Sequence, residues 1–103
     1  MDRIGLLNEV LTQNPNDAFA RYGLAMEYSK LGQVERALDE FGKLLSANPD
    51  YTAGYFMAAQ TLTGANRADE AKKMLVEGIA AARRTGNSHA QSEMTAMLEE
   101  LKP

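Results

Sequence analysis

Cysteine and tryptophan are absent from this 103-residue chain, and histidine occurs once. Without thiols there is no disulfide framework and no thiolate metal site; the redox compartment stays open, and a cytoplasmic location fits comfortably. A zinc site, a histidine-based triad or a histidine general base would have to be built around His89 alone, with no partner motif beside it. Long apolar runs are missing too. Nothing approaches the roughly 20 residues that span a bilayer, and the opening Met1-Asp2-Arg3-Ile4-Gly5-Leu6 mixes charge and apolar residues too closely for a secretory leader. Basic residues are scattered through a slight acidic excess, net charge −3. That pattern offers no electrostatic footprint for nucleic acid or an anionic membrane, so neither is an expected partner. No serine sits in a nucleophile elbow, and the glycines form no phosphate loop because no strand is predicted to precede one. No cofactor, no metal and no catalytic residue is expected, which argues against an enzyme. What remains is one domain, long enough to bury about two thirds of its unfolded surface.

What the chain does have is a period. Sliding it by 34 places sets Asn14-Pro15-Asn16 over Asn48-Pro49-Asp50, Tyr22 over Phe56, Ala25 over Ala59, Ala37 over Ala71, Phe41 over Leu75 and Leu45 over Ile79. A fixed period of this length is the signature of stacked supersecondary units. Within each period the apolar residues follow helical spacing, as in Phe19, Tyr22, Leu24, Ala25, Tyr28 and Leu31, then Ala37, Leu38, Phe41, Leu44 and Leu45. Gly32 and Asn66 fall at the same repeat position, and both residue types readily take the left-handed conformation that ends a helix.

Pro15 and Pro49 stop the preceding helices, and Asn16 or Asp17, then Asp50, are placed to cap the next ones. At the third boundary, Arg83-Arg84-Thr85-Gly86-Asn87, proline is missing, so that helix should run about a turn longer. Ser88 with Gln91 has capping-box spacing. Six helices are therefore predicted, near 2–13, 17–31, 34–47, 51–64, 67–84 and 88–101. Arg36 with Glu40, Asp39 with Lys43, and Asp69 with Lys73 stand four apart and read as solvated faces. Arg83 and Arg84 read as charge complement to a helix C-terminus.

These residues resemble the tetratricopeptide repeat, whose pattern is W-x2-L-G-x2-Y, then A-x3-F, then P. Residues 18–51 match through Leu24, Tyr28, Gly32, Ala37, Phe41 and Pro49, with Arg21 at the tryptophan position and Ala25 at the glycine. Residues 52–85 match more divergently: Tyr55 takes the tryptophan position, Ala58 and Ala59 the next pair, Leu62 the tyrosine, and Arg83 stands where proline is expected. The resemblance implies an all-α solenoid of antiparallel helix pairs in one domain, 1–103. It comprises a half-repeat helix at 2–13, a repeat at 18–51, a divergent repeat at 52–85 and a capping helix at 88–101. The alanines at matched places would let helix backbones approach closely.

The family implication for function is a concave groove, lined by the first helix of each pair, that holds a peptide or a partner helix. Carried over by position, that wall is Phe19, Tyr22, Met26, Ser29 and Lys30, continuing through Ala53, Phe56, Met57, Gln60 and Thr63. Family members that clamp a carboxylate tail use Lys, Asn and Arg at positions that here hold Tyr22, Met26 and Met57, so that activity is not expected. An apolar wall with methionines suits an amphipathic helix instead. Two alternatives stand beside this one. Phe19, Tyr22, Met26 and Phe56 are equally readable as core covered by a neighbouring helix or by residues 88–101, and the apolar surfaces or unmatched end helices are also suited to pairing with a second copy of the chain.

Overall fold

The computed structural model describes residues 2–101, which form six helices and no strand. They are α1 (Arg3–Gln13), α2 (Ala18–Lys30), α3 (Val34–Ala47), α4 (Thr52–Gly64), α5 (Ala68–Arg84) and α6 (Ser88–Leu101). No end departs from its sequence expectation by more than one residue. Among the described residues no helix is long and apolar enough to cross a membrane.

The turns within and after the pairs share one closure. Gly32, Asn66 and Gly86 take positive φ of 74°, 61° and 67°. In each case the next amide reaches back to the carbonyl five residues earlier: Gln33 to Tyr28 at 2.9 Å, Arg67 to Leu62 at 2.9 Å and Asn87 to Ala82 at 2.8 Å. This is the left-handed helix stop, and Asn66 replaces glycine because its short side chain tolerates that region. At the opposite ends, Asp2 Oδ1 accepts the Gly5 amide at 2.6 Å and Asp17 Oδ1 accepts that of Ala20 at 2.9 Å.

Two expected caps are not made. Asp50 lies one residue too early: Tyr51 holds the N-cap position of α4, with no side-chain hydrogen bond, and the Asp50 carboxylate instead receives Arg84 through Nε at 3.0 Å and Nη2 at 2.8 Å. Ser88 is already helical, and it is Asn87 Oδ1 that accepts the Ala90 amide at 3.0 Å. Arg36 and Glu40 do not pair either. Glu40 turns inward to Arg21, Nη1 to Oε1 at 2.6 Å, while the Arg36 guanidinium lies 5.7 Å from the centre of the Tyr28 ring. Asp39 and Lys43 do pair, at 3.3 Å.

Consecutive helices pack in antiparallel fashion, and α4 also touches α2 on one side and α6 on the other. One layer is thus α2, α4 and α6, and the second is α1, α3 and α5. The matched alanines Ala25, Ala37, Ala59 and Ala71 are wholly buried, with Phe41, Leu44 and Leu75 filling the space between layers. Met94 of α6 is buried as well, and Ala90, Met97, Leu98 and Leu101 lean on the same cluster. Gly78 makes this junction possible: a Cβ there would stand 2.5 Å from Met94 Sδ and 2.6 Å from Tyr55 Cβ.

Candidate functional site

Placing α2, α4 and α6 side by side opens a pocket of about 210 Å³ on that layer. Tyr22 enters from α2, Thr52, Ala53, Phe56 and Met57 from α4, and His89, Ala90, Glu93 and Met94 from α6, with Asn87 at the α5–α6 turn. Its surface is largely apolar, with a few polar groups at the lip, the composition that small concave sites share.

Tyr22, Phe56 and Met57 of the anticipated wall meet in this pocket, together with Ala53. The others do not. Met26 is half-buried against the cluster of Ala25, Ala37 and Phe41. Phe19 is 73 % exposed and stands outside the pocket. Ser29 Oγ lies 2.8 Å from Thr61 Oγ1, a tie between α2 and α4, and the Thr63 hydroxyl donates to the Ala59 carbonyl at 2.8 Å. Lys30 is exposed, 3.5 Å from Glu27, and Gln60 is exposed on α4. The wall therefore divides into an apolar pocket near the start of α4 and a polar seam near its end.

The sequence allowed residues 88–101 to cover Tyr22 and Phe56, but not that α6 would form an open third wall with His89 and Glu93. Helices α2 and α4 begin 34 residues apart, α4 and α6 36 apart, because α5 has 17 residues where α3 has 14 and the turn after it is one residue shorter. At the longer spacing His89 stands in register with Ala53 and Glu93 with Met57, so α6 acts as the first helix of a third pair. Its apolar stripe alone carried no such signal. The pattern appears once the period is lengthened by two residues at the boundary where proline is missing.

Electrostatically the site is quiet. Helix α4 carries no Asp, Glu, Lys, Arg or His. The Tyr22 and Tyr51 rings are tilted at 45° with centroids 5.4 Å apart. Burial raises both phenols above the usual tyrosine value, aided at Tyr22 by Tyr51 and at Tyr51 by Asp17. The Tyr22 hydroxyl therefore stays a neutral donor and acceptor, and among the described residues it makes no hydrogen bond. His89 Nε2 and Glu93 Oε1 are 3.3 Å apart at the lip. Among the described residues no group of three or more His, Asp or Glu is placed to hold a metal. What the arrangement can do is take an apolar side chain out of water and hydrogen-bond what surrounds it.

Two family profiles described as tetratricopeptide repeat match the chain, one over residues 30–93 and the other over 6–39. A TPR repeat-containing protein of Pseudomonas aeruginosa is 28 % identical over 95 residues, spanning 92 % of this chain and 90 % of that one. Among solved structures, a tetratricopeptide repeat domain protein from Salinibacter ruber superposes with a TM-score of 0.80 at 31 % identity, covering 86 % of this chain and 90 % of its own. PcrH, in complex with the chaperone binding region of PopD, superposes with a TM-score of 0.87 at 20 % identity, covering 95 % of this chain and 74 % of its own.

Proposed function

From the premise that the chain belongs to the tetratricopeptide-repeat family, we propose that it is a noncatalytic interaction module that holds a peptide or amphipathic helix of a partner protein in its concave groove. One observation carries the reading: the apolar pocket between α2, α4 and α6 is open, with Tyr22, Phe56 and Met57 facing it. Seating a Leu- or Phe-sized side chain there is worth roughly 1.5–3 kcal/mol, enough for an anchor but not for a whole interface. PcrH shares the fold and holds a segment of another protein in its crystal structure, which supports the class of partner. Within the proposed groove Tyr22, Phe56 and Met57 form the anchor site, while Phe19, Lys30 and Gln60 offer exposed flanking contacts. Met26, Ser29 and Thr63 support the wall from behind.

The test is to pan a displayed peptide library against the purified chain and map the selected binders by NMR. Shifts at Tyr22, Ala53, Phe56, Met57 and Ala90 are expected, with capture abolished by Tyr22→Ala plus Phe56→Ala while far-ultraviolet dichroism stays helical. Binders that perturb only α3 and α5, or capture that survives the double substitution, would move the site elsewhere. A stable dimer in light scattering that hides the pocket would favour self-association instead.

A further inference from the structure

Resting on that groove reading, we infer that the pocket takes one bulky apolar side chain from a segment that carries a lysine or arginine beside it, with Glu93 receiving the cation. Size sets the first half. At about 210 Å³ the pocket is smaller than the ~300–1,000 Å³ of sites that enclose a drug-sized ligand, and it suits a single side chain. The second half comes from the distribution of charge. Glu93 is the one carboxylate that lines the pocket, and among the described residues the group paired with it is the imidazole of His89 rather than a guanidinium or ammonium.

No lysine or arginine of the two helices that face α6 across the pocket competes for it. Helix α4 has none, Arg21 of α2 is turned away to Glu40, and Lys30 stands eight residues past Tyr22, roughly 12 Å along the helix, beside Glu27. The lip therefore carries a single carboxylate over an apolar floor. A basic residue next to the anchor meets Glu93 at the rim; an acidic one meets like charge. The free Tyr22 hydroxyl supplies a hydrogen bond to the same segment.

The probes are three capped dipeptides, N-acetyl-Phe-Lys-amide, N-acetyl-Phe-Gln-amide and N-acetyl-Phe-Glu-amide, titrated at millimolar concentration into the labelled protein and into Glu93→Gln. Shifts at Phe56, Met57 and Ala90 are expected with all three. The lysine probe should bind roughly two- to fivefold more tightly than the glutamine one, with the glutamate probe weakest, an advantage that fades in added salt and in Glu93→Gln. Equal affinities with the shifts still at the pocket would overturn the charge preference and leave the groove reading intact. A lysine preference that survives Glu93→Gln would remove Glu93 from the role. Silence at the pocket from every probe would sink both.

Discussion

Arg21 and Tyr55 hold equivalent positions, and each reaches back to the carbonyl of the proline six residues earlier: Arg21 Nη2 to Pro15 at 3.0 Å, the Tyr55 hydroxyl to Pro49 at 2.7 Å. Arg21 also meets Glu40, whose counterpart one period on is Met74, packed against the apolar cluster that includes Tyr55. The two repeats thus solve one packing problem with different chemistry, an ion pair in the first and apolar packing in the second. The side chains of Arg21 and Glu40 are only 18 % and 11 % exposed, so removing one partner strands a poorly solvated charge. Arg21→Met should cost about 1–3 kcal/mol in urea unfolding. Arg21→Met with Glu40→Met should recover part of that loss, whereas strict additivity would show that the two are not coupled. Two glycines behave oppositely. Gly78→Ala should cost about 1–3 kcal/mol because its methyl has nowhere to go. Gly42, exposed in mid-helix with nothing within 4 Å of a Cβ, should gain about 0.5–1 kcal/mol as alanine. Equal effects in the same melts would refute the close approach at Gly78.

The helices themselves were readable because period, turn residues and prolines all point to the same boundaries. The caps were less so, since a capping side chain must sit at one particular residue and a shift of one place moves it out of reach. Asp50 and Ser88 both fall one place away from the position that caps, and in each case a neighbour or another partner takes over. Asn87→Ala should therefore destabilise by about 1 kcal/mol, a typical loss for a cap, and Ser88→Ala should change little. Thermal melts with the reverse ranking would restore the capping box. The sequence assigned α6 a covering role and the structure agrees that Met94 is buried, but the helix also forms a wall of the pocket. That second role was hidden by the longer α5, which put α6 out of register with a strict period of 34.

Each helix packs chiefly on its chain neighbours, and the buried residues fall into three clusters along the stack. Stability should then grade along the molecule. Helix α1 fully buries only Leu11 and leaves Leu6 and Val10 half-exposed, so its amides should exchange first in native-state hydrogen exchange, with α4 and α5 last. Protection that is uniform from α1 to α6 would contradict this grading. At this scale Tyr22 and Phe56 were legible on one wall because they stand 34 residues apart, with Met57 next to Phe56. Which wall residues stay open was not, because Phe19 and Met26 share a helix face pattern and are told apart only by what their neighbours cover. Met94 has Gly78 behind it and the opening in front. The bore of that opening is consequently gauged from the far side of the wall: one methyl added at Gly78 forces the thioether to shift and alters the size of plug that fits, at a place no docked chain touches.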